Sequence, residues 1–295
     1  MLSSSIHVLM PIPTQLASTA FSIATIFTWG TSDFVGGYAA KRADAFLLTA
    51  VAHASGFILM LSLALTQHAP IPNTPMLMWA AAAGLSGGAA LAIFYRALAA
   101  GNMGLTAPVA ALLGAAIPAA LGMLTEGWPR PVQAVGFVLA AAGIWLISRH
   151  EATSDRPKGL ANAVLAGLGF AGFFLFIRQT GDSSVLWSAS ASRLASFVFV
   201  LGVVLFRRGM TSTDRGSIDR RGIVLGIVAG CLDTAGTALF VRSSQTGRLD
   251  AAVVLGSLYP ALTVLLAWLL LEEHFSRWRA LGMIAALVAV PLIAM

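Results

Sequence analysis

Asp33 and Asp233 are carboxylates set inside apolar runs long enough to cross a membrane. The first lies in FSIATIFTWGTSDFVGGYAAKR, Phe21 to Arg42, and the second in GIVLGIVAGCLDTAGTALF, Gly222 to Phe240. A carboxylate at the centre of a bilayer costs at least about 2.5 kcal/mol on insertion scales, so an acid kept there faces a cavity or a partner. One chemistry open to such an acid is to bind a proton or a cationic group of a solute. The other is structural: a hydrogen bond or an ion pair to a neighbouring helix. Gly30, Gly36 and Gly37 thin the first run around Asp33 and open space for a solute or an unwound turn there.

Arg193 falls near the middle of the seventh apolar run, and His53 takes the corresponding place in the second. Arginine keeps its charge in proteins, so Arg193 needs a counter-charge from Asp33, Asp233 or an anionic group of a solute. His53 is either a proton relay, its ordinary titration lying near neutrality, or a satisfied structural donor. Trp29, Tyr95 and Tyr259 are pocket candidates through stacking or cation–π contacts, with helix packing as the plainer role. Glu126 and Glu272 sit at the ends of apolar runs, where a carboxylate caps the following helix or takes part in coupling.

No energy-transducing or catalytic motif accompanies these residues. There is no Gly-x4-Gly-Lys-Ser/Thr loop and no His-Glu-x-x-His, and the AGLGFAG pattern lies within a spanning run with no strand before it. The single cysteine, Cys231, has no partner for an internal disulfide or a thiolate metal site and reads as a buried, inert thiol. No cofactor and no metal are expected. An intramembrane enzyme would have to be built from His53, Ser55 and Asp33, whose spacing matches no catalytic motif.

The elements that must position these residues follow from composition. Of 295 residues, 58% are hydrophobic and 10% charged, and the mean hydropathy is +0.84, against about 25% charged in an ordinary soluble domain. The formal charge of +6 is spread in short groups between apolar runs, so Lys and Arg read as membrane-surface anchors and not as a nucleic-acid face. The partners implied are the lipid bilayer and a small-molecule solute, and a monomer is compatible with this plan.

Spans of about 20 apolar residues are predicted at 16–40, 45–66, 76–99, 104–125, 130–148, 159–180, 184–206, 222–243, 250–271 and 277–295. The first eighteen residues lack a basic segment and contain Pro11 and Pro13, so the first run is expected to stay in place and not to be a cleaved leader. The fold class is an all-α integral membrane protein with ten transmembrane helices.

A shift of 146 residues lays the third to fifth runs on the eighth to tenth. Gly84 falls on Gly230, Phe94 on Phe240, Arg96 on Arg242 and Glu126 on Glu272; a shift of 140 lays His53 on Arg193. The chain reads as a five-helix unit over 1–148, a connector at 149–158 and a second unit over 159–295. An odd number of spans per unit makes the copies opposite in orientation, an arrangement in which the solute site lies at their interface near the midplane. The predicted site lies between the first, second, seventh and eighth helices. The odd-numbered connections carry twelve of the eighteen Lys and Arg residues, which by the positive-inside rule places those connections in the cytoplasm and both termini outside.

The stretch LGSLYPALTVLLAWLLLEEHFSRWRALGMIAALVAV, with a Pro near a helix start, a Glu pair at its end, an aromatic-basic turn and then a Gly, resembles the EamA-like branch of the drug/metabolite transporter (DMT) superfamily. FTWGTSDF is similar to that family's Trp-Gly opening, Arg193 to its seventh-helix Arg, and Glu126 with Glu272 to its repeat-end Glu. Asp33 departs from the pattern, standing where a small, amide or apolar residue is expected. The resemblance implies a secondary active transporter, an exporter of a metabolite such as an amino acid or of a drug-like compound, with import of a nucleoside- or amino-acid-like solute as the alternative in such families. With the inverted repeats it implies alternating access in a multi-pass protein of a bacterial inner membrane, and the buried acids add coupling to protons, the energy coming from a solute or proton gradient. It also implies cytoplasmic termini, opposite to the charge count. A passive facilitator fits the same plan.

Overall fold

The computed structural model describes residues 12–100, 103–126, 130–148, 159–181, 183–210, 218–246, 258–272 and 277–294, and these form helices. In chain order they are α1 (Ile12–Ala40), α2 (Ala45–Thr66), α3 (Thr74–Ala99), α4 (Met103–Glu126) and α5 (Pro131–Ser148), then α6 (Leu160–Arg178), α7 (Val185–Met210), α8 (Arg220–Thr246), α9 (Tyr259–Leu271) and α10 (Arg277–Ala294). No strand occurs among the described residues. Five helices (α2, α3, α6, α7 and α8) are long and apolar enough to cross a membrane. Large apolar side chains such as Val138, Trp145 and Phe206 point outward on this bundle, the inversion of a soluble surface that a lipid solvent imposes.

Local chemistry sets several boundaries. Asp44 caps α2 by accepting from the backbone N–H groups of Phe46 and Leu47, each at 3.0 Å, and Asn73 caps α3 by accepting from Met76 N at 3.1 Å. Both satisfy donors that a helix start leaves open. Asp219 accepts from Gly222 N at 2.7 Å at the start of α8. The sequence expectation for the ninth span reached back to residue 250; the described part of that helix starts at Tyr259, and 250–257 lie outside the described residues.

Helix pairing is reciprocal. α1 packs chiefly on α8 and α6 on α3; α3 packs on α7 and α8 on α2; α4 packs on α6 and α9 on α1; α2 meets α7 and α5 meets α10. The same reciprocity holds at single residues. Gly84 of α3 lies against the carbonyl of Ser192 in α7, and Gly230 of α8 lies against the carbonyl of Ala52 in α2. These two contacts interchange under the 146- and 140-residue shifts, as do Gly88 against Ser196 and Thr234 against Gly56. Small residues at these crossings let backbones touch where no hydrophobic effect drives helices together.

Side-chain to backbone hydrogen bonds close the seams. Along α1 and α8, Ser22 and Ser243 share a 2.7 Å hydroxyl contact, Ser243 donates to Ser18 O at 2.8 Å, and Ser32 donates to Ala229 O at 2.8 Å. Ser86 of α3 donates to Gly169 O of α6 at 2.8 Å, and Ser196 of α7 to Gly84 O at 2.6 Å. One apolar core gathers Phe34, Leu48, Phe94, Tyr95, Leu98 and Met103 at the end of the bundle where α1 and α3 finish. A second joins α4, α5, α6 and α10 around Val109, Leu112 and Ala286.

A methyl group at Gly84 has no room beside the Ser192 carbonyl, whereas one at Gly202 of α7 meets nothing within 4 Å. Gly84→Ala is expected to cost about 1–3 kcal/mol by overpacking, while Gly202→Ala is expected to stabilise by up to about 1 kcal/mol through helix propensity. Unfolding of the two purified variants in detergent, compared with wild type, checks both signs.

Candidate functional site

Arg193 and Asp233 meet in the middle of the bundle. The Arg193 Nη2 lies 2.7 Å from Asp233 Oδ2, with the two side chains 10% and 20% exposed. The same Nη2 donates to Thr237 Oγ1 at 3.3 Å, and Thr237, one turn beyond Asp233, donates in turn to the Asp233 carbonyl at 3.0 Å. Nη1 lies 3.3 Å from His53 Nδ1. A guanidinium only donates, so His53 accepts through Nδ1 and holds its proton on Nε2. That Nε2 is buried without a hydrogen-bond partner among the described residues. The charge Arg193 needed thus comes from Asp233.

Trp29 ties α1 into this cluster by donating from Nε1 to the Asp233 carbonyl at 3.1 Å. Its ring stands edge-on to Tyr259, 5.5 Å between centroids at 72°, and tilted against Phe240 at 5.5 Å. The α1–α9 crossing that brings Tyr259 here is close because Gly30 faces the Tyr259 carbonyl and Leu262, and Thr263 donates to Gly30 O at 3.1 Å. One turn from Trp29 along α1 lies Asp33, 8% exposed.

These residues line a cavity of about 160 Å³, closed on its far side by Gly87 and Leu91 of α3 and by Phe170, Phe173 and Phe174 of α6. It continues between α6 and α7 into a recess of about 390 Å³ that reaches Thr180, Gly181 and Ser183 in the α6–α7 connection. Toward the opposite end of the bundle the buried core of Phe94, Tyr95 and Leu98 fills the space.

Of the residues singled out in the sequence, Trp29, Asp33, Arg193, Asp233 and Tyr259 come together on the cavity wall. Two expectations need correction. His53 stands behind Arg193 and lines no part of the cavity, so the fourth helix of the predicted set, α2, supports the site from outside it. Tyr95 is fully buried in the apolar core, its ring set against Gly36, with no hydrogen bond from its hydroxyl among the described residues. Arg96 and Arg242 are exposed near the ends of α3 and α8. Glu272 is exposed and ends α9 in the left-handed conformation, φ 52°, instead of starting α10. The Glu126 side chain lies outside the described residues.

Sequence reasoning missed Thr237, Phe240 and the α6 aromatics. Thr237 was available as the residue four after Asp233, on the same helix face. Phe170, Phe173, Phe174 and Ile177 repeat at helical spacing, a stripe that reads equally well as packing.

The two units supply this cavity unequally. The shifts that exchange the backbone contacts set Arg193 against His53, Asp233 against Gly87, Thr237 against Leu91 and Asp33 against Phe173. One wall is therefore charged, from α1, α7 and α8, and the facing wall is aromatic and apolar, from α3 and α6.

A model of the EamA-like transporter family matches residues 17–149 and, a second time, residues 157–295. The chain belongs to the EamA-like transporter family. It is a multi-pass membrane protein of the DMT superfamily, and the double match marks two family repeats in one chain. A solved structure titled "Crystal structure of protein" has the same fold, with a TM-score of 0.60 and 18% identity over 94% of this chain and 96% of that one. A search of the curated proteins found no match.

In this EamA-family protein the Arg193–Asp233 pair is expected to behave as one unit. Removing a single member of a buried pair costs about 3–5 kcal/mol, because the other charge is stranded. Arg193→Leu and Asp233→Leu are each expected to unfold at markedly lower temperature, and the double variant to recover much of the loss. A double-mutant cycle in detergent measures the coupling.

Proposed function

We propose that this protein is a secondary transporter of a small solute, with ten spans arranged as two inverted five-helix halves and a single binding cavity between them. The observation that carries the reading is the buried charged cavity where the two family repeats meet, continuous with one end of the bundle and sealed from the other by packed side chains. An ion pair kept in lipid at such cost belongs to a pathway or a binding site. Reciprocal helix pairing and the interchanging glycine contacts support inversion of the halves. Rocking of the halves about the cavity opens each end in turn.

Asp33 is the proton-handling candidate. Among the described residues it has neither an ion pair nor a hydrogen bond, and the charged and titratable groups around it are Asp233, Arg193 and Tyr259 on the cavity wall and Tyr95 behind it. A proton and a charged solute exchanging on one carboxylate would couple their movements and make the protein an exporter driven by the proton gradient of a cell membrane, the bacterial inner membrane fitting best. In liposomes, accumulation driven by a pH gradient is expected in wild type and lost in Asp33→Asn; movement that only follows the solute's own gradient would make the protein a facilitator.

The topology has its own test. Lys41 and Ser183 lie at opposite ends of the bundle. In a Cys231→Ser background, Lys41→Cys and Ser183→Cys are expected to react with a membrane-impermeant maleimide from opposite faces. The charge count predicts that the Lys41 face is cytoplasmic and that Ser183→Cys is the variant labelled in intact cells, whereas the family resemblance predicts the reverse. Labelling of both from one face would rule out the proposed arrangement.

A further inference from the structure

We infer that the transported solute is a monovalent organic cation, an amine or quaternary ammonium on a compact aromatic or alkyl body, and not an amino-acid zwitterion. This rests on the transporter reading above and concerns the same cavity.

Charge balance comes first. Arg193 is neutralised by Asp233 at 2.7 Å, and its fork is further occupied by Thr237 and His53. A solute carboxylate would have to share the guanidinium with Asp233, bringing another acid beside Asp33 and Asp233 into a desolvated site whose one positive charge is already balanced. His53 adds no charge, since its Nδ1 accepts from the guanidinium. With Arg193 and Asp233 cancelling, the ionised cavity is left with one negative charge, that of Asp33. No group of three metal ligands occurs among the described residues, and a single unpaired carboxylate is too few oxygens for a hard metal cation.

The walls then set what surrounds the charge. Trp29 precedes Asp33 by one turn on the same face of α1, with Tyr259 and Phe240 packed about its ring. Aromatic faces attract a cation directly, most strongly when it is desolvated. Across the cavity, the position related to Asp33 by the repeat holds Phe173, beside Phe170 and Phe174. A solute with its cationic head on Asp33 and Trp29 lays its apolar body on this wall of α3 and α6, whose lining residues are all apolar; the hydroxyls of Ser192, Ser196 and Thr237 lie on α7 and α8. The inner cavity of about 160 Å³ holds a compact body, and a longer one would reach into the recess between α6 and α7.

The test uses three solutes of one skeleton: phenethylammonium, phenylalanine and 3-phenylpropionate, which differ in charge and share the ring. Binding to the purified protein is measured by calorimetry, and movement by counterflow in liposomes. Phenethylammonium is expected to bind at least ten-fold more tightly than the other two and to be carried. Asp33→Asn is expected to weaken it at least ten-fold, with part restored in Asp33→Glu. Asp33→Asn is also expected to unfold no earlier than wild type, since it removes an unpaired acid; a structural ion-pair role would lower the unfolding temperature.

Phenylalanine or phenylpropionate binding as tightly as the amine would overturn the cation assignment and leave the carrier reading standing, as would loss of fold in Asp33→Asn. Binding of none of the three would also overturn it. Binding of phenethylammonium without counterflow would uphold the cation site and overturn the transporter reading.

Discussion

A guanidinium that cannot lose its charge sits at the centre of a bundle solvated by lipid, and the rest of the molecule is arranged around that constraint. Arg193 is tolerable there only because Asp233 approaches to 2.7 Å. The approach in turn depends on α7 and α8 being held in register, partly through Thr237, which touches both members of the pair. The Asp233 carbonyl accepts from Trp29 Nε1 as well as from the Thr237 hydroxyl. One residue of α8 thereby fixes α7 electrostatically and α1 by a hydrogen bond, and the wall between them follows.

Backbone symmetry and chemical asymmetry have separate causes. The crossings that repeat, Gly84 on Ser192 and Gly230 on Ala52, are steric: only a residue without a side chain allows two backbones to meet there, so both copies keep Gly. The cavity positions carry no such requirement. A Gly at 87 and an Asp at 233 both fit their crossings, and His53 and Arg193 both fit theirs, so duplication leaves these sites free to diverge. The charge has collected on one side of the cavity, among Trp29, Phe240 and Tyr259, and the other side, from α3 and α6, is left without charge.

That division explains what was legible in the sequence. Helix positions could be read because lipid demands long apolar runs and polar residues collect at their ends; Asp44, Asn73 and Asp219 mark three of those ends in the letters alone. The repeat could be read through its costly residues, Arg and Glu, although Arg96 and Arg242 proved to be surface positions. Asp33, Asp233 and Arg193 stood out because ionised side chains in lipid are expensive wherever they point. Which acid pairs with Arg193 was not legible, since both lie in apolar helices and the choice turns on the α7–α8 register. The α6 wall was hidden for the opposite reason: Phe in a membrane helix is cheap in lipid, in a core and in a cavity alike, so Phe173 carries no mark of facing a solute. Tyr95 misled because an aromatic ring at helix spacing suits a pocket wall and a packed core alike, and its ring fits a space left by Gly36 in the core.

In the proposed carrier, the same asymmetry bears on how the second conformation is reached. If the halves exchange environments as the cavity turns to the other end, His53 takes up the surroundings that Arg193 has here, next to Gly87 and Leu91, where there is no carboxylate. Arg193 cannot move to surroundings without an acid unless Asp233 travels with it. Both residues belong to the second half, so the ion pair need not break in that carrier provided α7 and α8 move together. Asp33 belongs to the first half and lies on α1, which is tied to α8 by Ser18, Ser22, Ser32 and Trp29. The hydrogen bonds of that seam must therefore slide or be exchanged for the halves to rock. Hydroxyl-to-backbone contacts suit such a seam better than an ion pair would: each is worth only about 0.6 kcal/mol on average in a membrane helix bundle, so they can be exchanged one at a time while the buried charge stays paired.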